Sequence, residues 1–150
     1  MTISEGQKRY FAAANTGKGF ESFFEEIFFS PKIERRYIIK GGPGTGKSSF
    51  MRRIGLAASM RGHVVEYYYC SSDTHSLDGA VIDGHIAVFD GTAPHSYETV
   101  SPGVRDEIIN LGDFWDGEML SGYADKTDRL AAKKKRAYSN AYFTDELSFD

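Results

Sequence analysis

The sequence predicts an α/β fold in which three layers, α/β/α, surround a mainly parallel sheet. Short apolar runs at residues 35–40, 63–70 and 85–90 have the length and the β-branched and aromatic content of strands. A helical pattern at residues 48–60 separates the first two runs, and a glycine-rich turn joins the first run to that helix. The third run is apolar almost throughout, as expected for a strand that is covered on both faces.

Composition restricts the class of protein. The chain has 150 residues, including 11 Phe and 9 Tyr, so it can bury a core, and disorder is not expected. The net charge of −3 gives the chain no excess of positive charge to attract nucleic acid, so no nucleic-acid partner is expected. A single cysteine, Cys70, fits a reducing compartment. Without a hydrophobic leader or an apolar run of roughly 18 residues, we expect a cytoplasmic protein with no membrane partner.

The first 34 residues predict a helical extension. Residues 1–19 are polar and predict irregular structure. In the segment GFESFFEEIFF (19–29), Phe and Ile residues recur at helical spacing with glutamates between them, which predicts an amphipathic helix that ends at Ser30-Pro31. We therefore predict a single domain over residues 1–150, with 1–34 as an N-terminal helical extension and 35–150 as the core.

The rest of the chain is less clearly patterned. Residues 71–84 fit either a loop with one helical turn or a hairpin that turns at Asp83-Gly84. Residues 91–118 predict a long loop with a short helix at VRDEIINLG (104–112), and residues 121–147 predict a long helix. Three clear strands are fewer than such a sheet usually contains. Either the sheet is incomplete in this chain, or residues assigned to loops add further strands, or another chain completes the sheet.

The glycine-rich turn carries the strongest functional signal. It fits the pattern G-x-x-x-x-G-K-[ST] at every fixed position. Glycines allow several backbone N–H groups to approach one phosphate, because no side chain blocks the approach. The N-terminus of the next helix adds unpaired N–H donors and the positive end of its dipole. These considerations predict a phosphate-binding loop formed by Gly41, Gly42, Pro43, Gly44, Thr45, Gly46, Lys47, Ser48 and Ser49.

The predicted ligand is ATP or GTP with Mg²⁺. Lys47 is predicted to be catalytic, as a positive charge on the β- and γ-phosphate oxygens, and the Ser48 hydroxyl is a predicted Mg²⁺ ligand. A flexible surface turn is the alternative, but the strand before the loop and the helix after it favour the phosphate loop. A second Gly-Lys pair, in NTGKGF (15–20), lacks both the preceding strand and the following Ser or Thr, and predicts only a turn.

A carboxylate at the end of a neighbouring strand is expected to complete the magnesium site. Asp90, after the apolar run IAVF, is the predicted catalytic and metal-binding aspartate, and Asp83 is the competing candidate. The alternative for each of these two aspartates is a purely structural role in an Asp-Gly turn. Gly91 follows Asp90 where many ATPases have a catalytic Glu, so the general base is left open among Asp73, His95 and Glu98. Three residues could reach a γ-phosphate as an arginine finger: Arg105, Arg129 and Arg136.

Several segments together resemble a family of uncharacterised bacterial P-loop ATPase-like proteins: the phosphate loop, YFAAANTGKGFESFFEEIF (10–28), CSSDTHSLDG (70–79) and FDGTAPH (89–95). The resemblance covers nearly the whole chain and implies a P-loop NTPase-like, nucleotide-binding fold. Members of that family are much longer and contain two P-loop halves, of which this chain resembles the N-terminal one. The resemblance therefore implies that a second P-loop half or a second copy of the chain completes the site.

Three functions follow as hypotheses. The first is Mg²⁺-dependent hydrolysis of the β–γ bond of a nucleoside triphosphate. The second is a small-molecule kinase, with the phosphoryl acceptor held by residues 71–78 or 91–105 and with Asp73 as the base. The third is a nucleotide-dependent binding or switch module without catalysis. The presence of Gly91 where many ATPases have a catalytic Glu, together with the short chain, motivates this hypothesis.

Overall fold

The computed structural model describes residues 7–92, 96–114 and 116–147, and the chain forms two compact units. The first unit contains the described residues up to Ala14 together with Ser22–Asp113, and the second contains Asn15–Glu21 and the chain from Phe114. In chain order the elements are β1 (Gln7–Phe11), β2 (Ala13–Thr16), β3 (Gly19–Ser22), α1 (Phe24–Phe28), β4 (Arg35–Lys40), α2 (Lys47–Ser59), β5 (Val65–Tyr69), β6 (Leu77–Ile82), β7 (Ile86–Asp90), β8 (Asp106–Asn110), a 3₁₀ turn (Leu111–Phe114), α3 (Gly117–Ser121) and α4 (Ala124–Leu147).

The first unit is organised around a six-stranded sheet with the strand order β1-β5-β6-β7-β4-β8. Strand β1 pairs in parallel with β5, and β4 pairs in parallel with β7 on one side and β8 on the other. Strand β6 runs antiparallel to both of its neighbours, β5 and β7. The sheet is therefore mixed.

The predicted fold class, a mainly parallel sheet in a three-layer α/β/α P-loop arrangement, is wrong. Strand β6 reverses into β7 through a tight turn at Asp83 and Gly84, whose φ angles of +50° and +75° match the turn type that favours two-strand hairpins. Of the two interpretations of residues 71–84, the hairpin is the correct one. In addition, one side of the sheet packs against the five-residue helix α1 instead of a layer of long helices.

Two apolar clusters cover the two faces of the sheet. Phe24 and Phe28 of α1 are fully buried against Phe89 and Ile38 on one face. On the other face, Met51 of α2 is fully buried in a cluster that includes Ile39. Because side chains alternate along a strand, neighbouring residues of β4 serve opposite clusters, which explains its continuous apolar run.

The element predictions have mixed outcomes. The strands predicted at 35–40, 63–70 and 85–90 and the helix predicted at 48–60 are confirmed as β4, β5, β7 and α2. The irregular segment predicted at residues 1–19 instead contains β1 and β2, and the phenylalanine-rich helix is confined to α1 because its first residues form β3. The short helix predicted at 104–112 is wrong, since those residues form β8 and enter the 3₁₀ turn.

The second unit contains the turn between β2 and β3 together with α3 and α4. Within this unit the Tyr142 hydroxyl donates a hydrogen bond of 2.6 Å to Oδ1 of Asn15. Among the residues that the structure describes, no helix has the length and apolar character needed to cross a membrane.

Candidate phosphate-binding site

The glycine-rich loop joins the carboxyl end of β4 to the first residue of α2. Gly44 and Gly46 have φ angles of +78° and +88°, which lie in the left-handed region that L side chains rarely adopt. A Cβ atom added to either glycine would meet no atom within 4 Å. Backbone conformation requires glycine at these two positions, and the space beside them is open to a ligand.

Lys47 lies across this loop. Its Nζ atom donates hydrogen bonds to the carbonyl oxygens of Gly41, at 2.6 Å, and Gly42, at 3.0 Å. The same atom lies 3.7 Å from Oδ2 of Asp90. The ammonium group is thus held between the first two carbonyl groups of the loop and the Asp90 carboxylate.

Ser48 connects the start of α2 to β6. Its Oγ atom accepts a hydrogen bond of 2.9 Å from the backbone N–H of Leu77, the first residue of β6. One helical turn later, the Arg52 guanidinium donates to the carbonyl oxygen of His75 at 2.7 Å. These two contacts place the segment between β5 and β6 beside the N-terminal turns of α2.

The two candidate aspartates lie at opposite ends of the sheet. Asp90 is the last residue of β7 and is paired in register with Ile39 of β4, next to the glycine-rich loop. Asp83 instead accepts hydrogen bonds from the backbone of Val64, at 2.9 Å, and the ring of His63, at 2.6 Å. The Val64 hydrogen bond, followed by that of His63, holds the pKa of Asp83 below its usual value. The structure brings Asp90 to the loop and leaves Asp83 in a hairpin turn.

Two residues near the loop were not singled out by the sequence. Thr92 accepts a hydrogen bond of 3.2 Å from the N–H of Gly41, and its own N–H donates to Oδ1 of Asp90 at 2.8 Å. Lys40 donates to the carbonyl oxygens of Gly91 and Tyr97 and forms an ion pair of 2.8 Å with Glu98. The sequence signal for Lys40 was a lysine that ends an apolar strand at the loop.

These contacts hold Gly91, Thr92 and Tyr97 close to the end of β4 and the start of the loop. Thr92 ties the first glycine of the loop to the Asp90 carboxylate, and Lys40 ties the segment to the end of β4. Glu98, one of the candidate bases, is already engaged in the Lys40 ion pair. Another candidate base, His95, lies outside the described residues.

Asp73, the remaining candidate base, is hydrogen-bonded within its own turn. Its two carboxylate oxygens accept from the Ser76 hydroxyl, at 2.7 Å, and from the backbone N–H of His75, at 3.0 Å. The Ser76 hydrogen bond, followed by that of His75, lowers the pKa of Asp73. A carboxylate with a lowered pKa is a weaker base, so this turn opposes the role proposed for Asp73 in a kinase.

The candidate arginine fingers are not brought together with the loop within the first unit. The Arg105 carbonyl accepts a hydrogen bond of 2.7 Å from the N–H of Arg36, near the start of β4. The glycine-rich loop follows the other end of that strand, which contains 6 residues and rises about 3.3 Å per residue. Arg129 and Arg136 belong to α4, in the second unit.

The oxygen donors near the loop fit a magnesium ion held mainly by a phosphate group and water. Ser48 offers a hydroxyl oxygen and Asp90 a carboxylate, the ligand types that Mg²⁺ prefers. In the described part of the chain, no group of three or more His, Cys, Asp and Glu side chains is arranged to hold a metal. One or two protein ligands are the usual number when substrate phosphates supply the others.

Comparison of the chain with models of known protein families, with curated proteins and with solved structures finds no match. The resemblance to P-loop ATPase-like proteins therefore stays a prediction that depends on the motifs, and the function has to be argued from the geometry of the loop.

Proposed function

We propose that this protein binds a nucleoside triphosphate, ATP or GTP, together with Mg²⁺ and hydrolyses its β–γ bond. The observation that supports this proposal most strongly is the open backbone of the glycine-rich loop at the N-terminus of α2, with Lys47 beside Asp90. A polyphosphate needs N–H donors and a positive charge; the glycine conformations and the N-terminus of α2 favour the first, and Lys47 supplies the second.

Each nearby residue has a role in this proposal. The backbone N–H groups of the loop and of Ser48 and Ser49 would bind the phosphates, while Lys47 would exchange its carbonyl partners for phosphate oxygens. Ser48 and Asp90 would hold Mg²⁺, which when bound neutralises charge that develops on the phosphate oxygens. Thr92, through its N–H, would keep the Asp90 carboxylate in place.

Calorimetric titration of Mg·ATP and Mg·GTP into the purified chain tests the binding proposal. Lys47→Ala is expected to abolish measurable binding, because it removes the charge that faces the phosphates. Lys18→Ala is the matched control: Lys18 is an exposed lysine in the second Gly-Lys pair, and its loss should leave the affinity unchanged. Unaltered affinity of the Lys47→Ala variant would refute the proposal.

The kinase function is a second candidate, which the position of the 70–76 segment favours. Hydrogen bonds from Leu77 to Ser48 and from Arg52 to His75 hold this segment beside the phosphate loop, where an acceptor would have to bind. The glycine after Asp90 also leaves no glutamate there to activate water. If turnover of Mg·ATP is equally fast with and without added acceptors, hydrolysis is the function and the kinase reading fails.

A non-catalytic switch module is the third candidate, and the turnover measured for the unmodified chain and for Asp90→Asn distinguishes it from hydrolysis. Under the hydrolysis proposal, Asp90→Asn should bind the nucleotide but lose turnover, because an amide is a weaker Mg²⁺ ligand than a carboxylate. Tight binding without turnover in the unmodified chain would instead favour the module. A cytoplasmic location, and completion of the site by a second P-loop half or a second copy, belong to the proposal as well.

A further inference from the structure

A cavity of about 270 Å³ opens at the ends of β1 and β5. Its lining residues come from β1, from the end of β5 and from the segment that follows: Arg9, Tyr10, Phe11, Tyr69 and Thr74. Strands β1, β5, β7 and β4 all point the same way, since two antiparallel pairings separate β5 from β7. The cavity therefore opens at the same edge of the sheet as the phosphate loop.

Two arginines lie over the Tyr69 ring of this cavity: Arg9, which also lines the cavity, and Arg52 of α2, which contacts the ring without being a lining residue. The guanidinium carbon of Arg9 lies 5.6 Å from the centroid of the Tyr69 ring, and that of Arg52 lies 5.9 Å from it. The register of β1 with β5 pairs Arg9 with Tyr67 and Phe11 with Tyr69, so these side chains share a face of the sheet. This face is the one on which Tyr67 and Tyr69 pack with residues of α2.

Among the residues that the structure describes, no acidic side chain neutralises the two positive charges. Within the described ranges, no carboxylate forms a salt bridge with Arg9 or Arg52, although Arg52 donates a hydrogen bond to the His75 carbonyl. Both charges also act on the phenol of Tyr67. Burial raises the pKa of Tyr67 and the nearby Tyr69 adds to that, while Arg52 and Arg9 oppose the rise. Like charges that face one ring repel each other, and a bound anion relieves that repulsion.

The position of Arg52 limits the size of a shared ligand. Arg52 follows Ser48 by four residues on α2, so it lies on the same helix face about one turn, or roughly 5.4 Å, further along. A small molecule whose anionic end contacts Arg52 could therefore extend toward the phosphate loop. Guanidinium groups bind phosphate and carboxylate groups through paired hydrogen bonds, which suits such an end.

We propose that this cavity binds the anionic end of a small-molecule phosphoryl acceptor, a hydroxyl compound that carries a phosphate or carboxylate group held by Arg9 and Arg52. This inference rests on the proposed nucleotide binding in its kinase form. In the transfer, the acceptor hydroxyl oxygen forms a bond to the γ-phosphorus, and the bond from that phosphorus to the β–γ bridging oxygen breaks. The electron pair of the broken bond stays on the nucleoside diphosphate, and the hydroxyl proton is released to water.

Calorimetric titration with glycerol 3-phosphate and with lactate tests the subsite and tells a phosphate end from a carboxylate end. Both titrations use the full chain with Lys47→Ala, which weakens competing anion binding at the phosphate loop. Adding Arg9→Ala and Arg52→Ala is expected to raise the dissociation constant of the preferred probe at least about tenfold. Arg53→Ala, which removes an exposed charge from the same helix, should leave it unchanged. If neither probe binds in an arginine-dependent way, the proposal is overturned.

The nucleotide is titrated separately, so that failure of the subsite and failure of the proposed function can be told apart. The Arg9→Ala, Arg52→Ala chain with Lys47 intact should bind Mg·ATP as well as the unmodified chain does. Loss of Mg·ATP affinity in that variant would show that the arginines bind the nucleotide itself, and would overturn the acceptor subsite. Arginine-dependent probe binding in a chain that does not bind Mg·ATP would support the anion site while refuting the nucleotide function.

Discussion

Gly46 is the N-cap residue directly before helix α2 and has a φ of +88°, and no neighbouring atom occupies the space in which a Cβ would lie. We predict that Gly46→Ala destabilises the chain by about 1–2 kcal/mol through the left-handed backbone. We also predict that it weakens Mg·ATP binding, because the methyl group would enter the space in which we propose that the phosphates bind. Urea denaturation and calorimetric titration measure the two effects.

Gly62 supplies the matched control for Gly46. It has a φ of +86° and the same open surroundings, but it lies beyond the other end of α2. Gly62→Ala should therefore cost a similar free energy of unfolding and leave Mg·ATP affinity unchanged. Equal loss of affinity in the two variants would mean that Gly46 acts only through stability.

Asp106 of β8 forms a buried ion pair with Arg36 of β4. Its Oδ1 atom accepts from Arg36 at 2.5 Å, while Oδ2 accepts from the backbone N–H groups of Val100 and Ser101. Replacing Asp106 with Asn would leave the Arg36 charge buried without a counter-charge, and we expect a loss of about 3–5 kcal/mol in the free energy of unfolding. Glu107→Gln, which breaks the exposed pair with Arg35, should have little effect in the same urea denaturation. A similar small effect of both changes would contradict the role of the buried pair.

The same ion pair predicts a dependence of stability on pH. Burial alone would raise the pKa of Asp106, but the hydrogen bonds from Arg36, Ser101 and Val100 outweigh burial and lower it. Because the folded pKa lies below the unfolded value of about 3.9, the contribution of Asp106 is complete above that pH and is lost as the pH falls through the folded pKa. Urea denaturation from pH 6 down to pH 3 should show a steeper acid loss for the unmodified chain than for Asp106→Asn. Parallel curves would exclude Asp106 as the source.

Helix α2 approaches the sheet closely at Gly55. A Cβ added there would lie 2.6 Å from the hydroxyl oxygen and from Cε1 of Tyr67 on β5. Helix propensity favours alanine by about 1 kcal/mol, but overpacking of a buried contact typically costs about 1–3 kcal/mol. We predict that Gly55→Ala is destabilising in urea denaturation, and that Tyr67→Leu reduces the penalty of the added methyl group in a double-mutant cycle. A Gly55→Ala chain that is more stable than the original would show that the helix moves to accommodate the methyl group.

The elements show where sequence patterns were informative. Strand β4 and helix α2 were predictable because local signals agree: an apolar run, a glycine loop that matches a fixed spacing, and a helical period. Strand β1 was not, because it is an exposed edge strand whose pattern of Lys, Arg and Tyr carries no alternation. For β8, the segment DEIIN fits a helical turn as well as a strand, and only its pairing with β4 decides between them.

The residues of the candidate site also differ in whether the sequence could predict them. The loop and the carboxylate of Asp90 could be found from the sequence, because both lie next to strands with clear patterns. The contacts of Thr92 and Lys40, and the pair formed by Arg9 and Arg52 on Tyr69, could not. These residues come from parts of the chain that are brought together by the strand order, in which the antiparallel strand β6 lies between β5 and β7.

At the scale of the whole molecule, the open question is what stabilises the long helix α4. Its described side chains from Ala124 to Ala141 are exposed, so it has no buried stripe to add to its backbone hydrogen bonds. We predict that hydrogen exchange followed by mass spectrometry shows much faster exchange for α4 than for β4, whose residues Ile38 and Ile39 are fully buried. The β4 peptide is the internal control for global unfolding. Protection of α4 equal to that of β4 would mean that another surface covers the helix in solution, and repeating the exchange at several protein concentrations would show whether that surface belongs to a second copy of the chain.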